Sequence, residues 1–116
     1  MTDRSGRGEP LVLGIDSSTT GCKAIAWDLH GEARAEGRAA LPLSMPRPLW
    51  HEQPAEAWWD AAVEAIRQVT QQIDGGRIAG MCITAQRESF VPVEAGLRTV
   101  RRESTTVVLT RAMPVI

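Results

Sequence analysis

Apolar runs broken by short polar turns dominate the first part of the chain. Residues Leu11–Ser17 (LVLGIDS) are nearly all apolar and predict a strand buried on both faces. A Ser/Thr turn follows, and residues 21–28 (GCKAIAWD) predict the return strand, interrupted near the turn by Lys23. Residues 29–31 read as a second turn, in which Gly31 is free to take positive φ. Residues 32–40 (EARAEGRAA) alternate small and charged positions, the two-residue period of a strand. Alanine is a poor strand former, and propensity alone also allows a helix, but Gly37 weakens that option. Three strands in meander order are expected.

Residues 41–54 contain four prolines, at 42, 46, 48 and 54, which predicts a loop or extended segment. Pro54 suits the first turn of a helix. Trp58, Ala62, Ala65, Val69 and Ile73 then recur at helical spacing, widened by Trp59, Val63 and Ile66, and predict a helix from Ala55 to about Ile73. Both tryptophans of the Trp58-Trp59 pair read as core. Glu56 and Asp60 suit the helix dipole, and Asp74-Gly75-Gly76 ends the helix. Residues 78–84 (IAGMCIT) predict a central strand, followed by the polar run Gln86-Arg87-Glu88-Ser89. Residues 90–93 allow a further strand, at an edge or bulge because of Pro92. A meander followed by a helical crossover implies an α/β fold, a mixed sheet covered by a helix.

The chemistry suggested by this pattern lies at the ends of strands. At the tip of the first hairpin, Asp16 stands beside Ser18, Thr19 and Thr20. Small turn residues let backbone N–H groups approach an anion, and a carboxylate beside them can hold a hydrated Mg²⁺ together with phosphate oxygens. These residues equally suit an ordinary polar hairpin turn. The polar run after the strand at 78–84 occupies the position where ligand crevices of open α/β sheets form. An ordinary solvated loop would read the same way.

Composition narrows the setting. The 116 residues suffice for one small domain, with 43% hydrophobic and 23% charged positions. A net charge of −1 leaves no basic footprint for nucleic acid or anionic membrane. No apolar run approaches the ~20 residues that span a bilayer. Residues 1–10 are polar and read as a flexible leader without a signal-peptide core. Cys22 and Cys82 sit in apolar runs without a CxxC or a His pair, so they read as buried free thiols in a reducing cytoplasm. His30 and His51 are isolated and read as surface or loop residues.

Three stretches, LGIDSSTTGCKAIAWD, RPLWHEQPAEAWWDA and IAGMCITAQRESFVPVE, together resemble the N-terminal part of an FGGY-family carbohydrate kinase, most like a xylulokinase. The resemblance implies the ribonuclease-H-like mixed sheet of the actin and hexokinase-like superfamily: a three-strand meander, a crossover helix and further strands. That would be the incomplete first domain of a two-domain kinase, with residues 11–95 carrying the match. It implies ATP and Mg²⁺ as cofactors and a sugar or polyol as the phosphate acceptor. Asp16 would position Mg²⁺, through water, and Ser18, Thr19 and Thr20 would line the phosphate turn. Gln86, Arg87 and Glu88 would grip substrate hydroxyls, since an arginine fork and a carboxylate can bracket vicinal hydroxyl groups. Apart from the resemblance, Trp50 could pack under its loop or face the sugar cleft, and Glu52 could likewise cap the helix without touching any ligand.

From about residue 96 the family pattern fails, and residues 96–116 read as a divergent tail, consistent with a frame slip or a gene fragment. Residues 107–109 could still form a strand that completes the sheet in a different way. No catalytic residue is expected within this chain, because the family's base and second domain lie beyond it. The polypeptide alone is therefore expected to be inactive, unless a missing lobe or a second copy completes it. The rival class is a non-catalytic sugar- or nucleotide-binding module.

Overall fold

In a computed structural model the described residues are 8–48, 51–85, 89–90 and 106–109. Strands β1 (Leu11–Ser17), β2 (Gly21–Trp27) and β3 (Ala33–Ala40) form the expected meander. Strand β4 (His51–Pro54) leads directly into helix α1 (Ala55–Gln72). A short 3₁₀ turn at Gly75–Arg77 precedes β5 (Ile78–Ala85), and β6 (Ser89–Phe90) and β7 (Thr106–Leu109) follow. The main sheet has the order β3-β2-β1-β5, with β5 parallel to β1 and the meander antiparallel. The mixed α/β sheet with its crossover helix is the fold expected from the pattern. Strands β4, β7 and β6 make a second, antiparallel sheet. The strand at 106–109 therefore joins this small sheet and does not extend the main one.

The core lies between α1 and one face of the main sheet. Leu11, Leu13 and Ile15 of β1, Cys22, Ala24 and Ala26 of β2, and Ala35 of β3 meet Ala61, Ala65 and Val69 of α1. These three helix residues are spaced four apart and form one stripe. The interface is built largely of alanine, and Gly37 completes it: a Cβ at Gly37 would collide with the backbone carbonyl of Ala65. This explains why EARAEGRAA forms a strand despite poor propensity. Small side chains let the helix sit close, and the packing gained outweighs the intrinsic preference.

The helix also closes the outer edge of β3. Gln68 accepts from the Arg38 N–H at 2.9 Å and donates to the Arg38 carbonyl at 2.9 Å. Gln72 does the same for Glu36, at 3.4 and 2.7 Å. Two amide side chains thus satisfy backbone groups that a neighbouring strand would otherwise bond, which blunts an exposed edge.

The β2–β3 turn is organised by Asp28, which is buried and accepts from the N–H groups of His30 and Glu32 at 2.8 and 3.0 Å. Arg34 Nε donates to its other oxygen at 2.7 Å. The Glu32 N–H, then the Arg34 guanidinium and the His30 N–H, hold the Asp28 carboxyl down at about 2. Gly31 takes φ 83° in this turn, as its position suggested.

Four expectations are corrected. Strand β1 is buried on one face only, since Val12 and Asp16 are exposed, because among the described residues the helix layer covers one side of the sheet. Among the described residues strand β5 is an outer strand and not a central one, and residues 79–85 are exposed. Cys82 is therefore exposed, while Cys22 is buried. Trp59 points away from the core at 73% exposure, whereas Trp58 is half-buried against it. The proline segment is extended where it pairs, one of the two forms expected of it, with a Ser44–Glu52 bridge before β4 completes its pairing.

Gly37→Ala should destabilise the chain by about 3 kcal/mol, the upper end of overpacking costs, because the new methyl meets backbone and not a mobile side chain; chemical denaturation would measure the difference. Stability from Asp28 is fully present above pH 4 and is lost as pH falls through about 2, since its folded pKa lies below the ordinary 3.8. Urea titrations from pH 6 to pH 2 should show this acid-side loss, and the Asp28→Asn variant should show a smaller one.

Candidate functional site

Strand β1 delivers Asp16 to the face of the sheet opposite α1, one residue before the strand ends. The turn that follows is tight: the Ser18 N–H and hydroxyl both donate to the Gly21 carbonyl, at 2.8 and 3.0 Å. The Thr20 carbonyl accepts from the Leu41 N–H at 3.0 Å. Ser18 and Thr20 are exposed and Thr19 is half-buried. The candidate residues Asp16, Ser18, Thr19 and Thr20 are thus gathered in one hairpin tip.

A residue not singled out from the sequence fixes that tip. Gln53 is fully buried (0% exposed) on β4, its amide donating to the Thr19 carbonyl at 2.5 Å and accepting from the Trp58 indole N–H at 3.0 Å. One side chain, 34 residues from Thr19 in sequence, therefore ties the Ser/Thr turn to the first turn of α1. A glutamine wedged between the proline loop and the helix start was the available signal. Its neighbour Glu52 is also buried, and its backbone pairs in both directions with Ser44 at 2.9 Å.

Strand register adds neighbours that spacing alone did not reveal. On the open face Arg38, Lys23, Asp16 and Thr84 stand directly opposite one another across β3, β2, β1 and β5. The Thr84 hydroxyl reaches Asp16 Oδ1 at 3.2 Å. Lys23 and Arg38 both lean on Glu36, at 3.6 and 2.6 Å. The Arg38 hydrogen bond, and then the two positive charges, lower the Glu36 carboxyl below its usual range. A cleft of about 400 Å³ is lined by Asp16, Ser18, Thr20, Gly21, Lys23 and Arg38, among others. A second, of about 320 Å³, runs from Asp16 and Lys23 to Cys82 and Thr84. Burial, and then the Asp16 charge, push the buried Cys22 thiol up, so it is not a ready nucleophile.

Other candidates fall elsewhere. Gln86, Arg87, Glu88 and Trp50 lie outside the described residues. The strand that leads to the first three ends at Ala85, paired with Ser17 at the start of the Ser/Thr turn. A larger groove of about 500 Å³, between α1 and β5, is lined mainly by Trp58, Trp59, Val63, Ile66, Met81 and Ile83, and is too apolar to orient a sugar. Among the described residues no three His, Cys, Asp or Glu side chains gather to hold a metal. A lone carboxylate such as Asp16 fits Mg²⁺, which keeps several waters and takes further oxygens from phosphate.

The model of the N-terminal domain of the FGGY family of carbohydrate kinases matches residues 11–106. The chain belongs to this family. It is 38% identical over 82 residues to the apulose kinase of Pectobacterium atrosepticum, covering 71% of this chain and 16% of that protein. It is 36% identical over 83 residues to the glycerol kinase of Thermococcus kodakarensis, covering 70% and 17%. The structure of a ligand-bound xylulose kinase from Lactobacillus acidophilus superposes with a TM-score of 0.76 at 25% identity, covering 85% of this chain and 19% of that one. The chain therefore spans less than a fifth of each of these proteins. The FGGY match includes the whole main sheet, α1, and the hairpin tip with its Gln53 tie.

Gln53→Leu should cost about 2 kcal/mol, because it removes the partner of the half-buried Thr19 carbonyl and of the half-buried Trp58 indole N–H together. The loss should appear in denaturant unfolding, accompanied by a changed Trp58 environment in near-ultraviolet circular dichroism.

Proposed function

We propose that this chain forms the phosphate-binding wall and the first substrate loop of an ATP-dependent carbohydrate kinase, which transfers the terminal phosphoryl group to a hydroxyl of a sugar. The observation that carries this reading is the meeting of Asp16 and the Ser/Thr turn with the end of β5. Asp16 would hold Mg²⁺ through water, and Ser18, Thr19 and Thr20 would face the nucleotide phosphates. Gln86, Arg87 and Glu88, one residue past the paired Ala85, would bind the sugar hydroxyls. Phosphoryl transfer depends on positioning and charge stabilisation, so these roles need a second wall to complete them. No residue of this chain is assigned as the catalytic base, and the chain alone is read as non-catalytic. A missing lobe or a second copy would supply what it lacks, in the cytoplasm. Among the described residues no helix is long and apolar enough to cross a membrane.

The acceptor favoured is xylulose, on the PLWHEQ segment between Pro48 and Gln53. A glycerol-like polyol is the second reading, favoured by the adjacent Gln86-Arg87-Glu88 run. Residues 96–116 are read as a divergent tail given no role in this machinery, although the family match extends to residue 106. A non-catalytic binding module is the alternative of another class.

Isothermal titration of the purified chain with Mg·ATP, and separately with D-xylulose and glycerol, tests the reading. Saturable Mg·ATP binding should weaken about tenfold in Asp16→Asn, and sugar binding should disappear in Arg87→Ala and Glu88→Ala. A cooperatively folded chain that binds neither nucleotide nor sugar would overturn the assignment.

A further inference from the structure

We propose that Arg38, together with Lys23, extends the phosphate turn into a second anion subsite on the open face of the sheet, and that Glu36 is an internal competitor that occupies these cations until a polyphosphate displaces it. The inference rests on reading the Ser/Thr turn as a phosphate site. Three observations support it. Arg38 and Lys23 are directly opposite in register, and Lys23 is opposite Asp16, so the two cations continue in line from the carboxylate. Arg38, Lys23, Asp16, Ser18 and Thr20 line one cleft of about 400 Å³. The backbone of Arg38 is held on both its N–H and its carbonyl by Gln68, so its side chain projects from a fixed base.

Charge decides what such a cleft accepts. Lys23 and Arg38 are balanced by Asp16 and Glu36, so a bare anion gains little. A divalent cation at Asp16 cancels that carboxylate and leaves the two cations opposed only by Glu36. The subsite therefore suits a metal-bound polyphosphate better than a free one. Glu36 engages Nε of Arg38, one of the guanidinium's five donors. Both partners are exposed, so exchanging this ion pair for phosphate oxygens costs little. A planar guanidinium also suits bidentate phosphate recognition.

The probe is inorganic tripolyphosphate with Mg²⁺, which lacks base and ribose, titrated calorimetrically into the full chain at low salt. Arg38→Gln should weaken binding about tenfold, and Glu36→Gln should tighten it several-fold, with both variants unfolding at the wild-type temperature. Affinity unchanged in Arg38→Gln, or weakened in Glu36→Gln, overturns the proposal. If Asp16→Asn weakens binding while Arg38→Gln does not, the phosphate-turn reading stands and the subsite falls. If Arg38→Gln weakens it while Asp16→Asn does not, the subsite stands and the role given to Asp16 falls. If the wild-type chain binds no Mg·tripolyphosphate, both fall.

Discussion

The close seat of α1 on β2 and β3 is the constraint on which the other features depend. It is made possible by subtraction: alanines at 24, 26, 35, 61 and 65, and no side chain at all at 37. A helix covers a width of about 10 Å, roughly two strands of a sheet. With α1 drawn onto the β2–β3 side, Gln68 and Gln72 reach the backbone of β3 and close that edge. The same placement leaves Met81 and Ile83 of β5 exposed beside Trp59 and Val63, and so creates the apolar groove. Edge closure and groove are two results of one packing decision.

The site inherits its shape from this arrangement. Since α1 occupies one face, polar chemistry has to collect on the other, and period-two alternation puts Asp16, Lys23 and Arg38 there while their neighbours enter the core. The tip of the β1–β2 hairpin meets both the open face and the helix start. Its Thr19 carbonyl is bound by a fully buried amide that also takes the Trp58 indole N–H. The buried Gln53 amide holds both partners at once, which rigidifies the turn it touches. The turn proposed to meet phosphate is thereby preorganised by the start of the helix that builds the core.

Much of this was legible in the residues. The meander and α1 follow from the apolar pattern, because β1 and β2 are apolar runs broken by a short polar turn and the helix carries one apolar stripe. The hairpin tip was legible as a candidate site because Asp16 and the hydroxyl residues are contiguous. What was not legible depends on partners distant in sequence. Burial of β1 on one face, and the outer position of β5, reflect how many layers cover the sheet, which a local apolar run does not encode. The row from Arg38 to Thr84 needs the register of four strands at once. Gln53 needs the fold itself, since a polar residue beside a proline reads as loop until its two partners are placed. Gly37 is the instructive middle case. Its local message, against a helix, was right, but its reason, the approach of Ala65, lies 28 positions away.

Stability and the proposed binding would therefore be coupled through short paths. The Ser/Thr turn is anchored through Gln53 to Trp58, and β3 is anchored through Gln68 to the middle of α1. An anion bridging the turn and Arg38 would link two segments that the helix already holds from behind. Such a ligand binds the folded form alone, so it stabilises the helix–sheet contact in proportion to its saturation. Conversely, loosening the alanine interface would move both anchors together and weaken the proposed site without touching a single group that faces the ligand. The packing of residues such as Gly37 and Ala65 would thus be part of the proposed recognition of phosphate, because the geometry of the open face is set by what is pressed against its back.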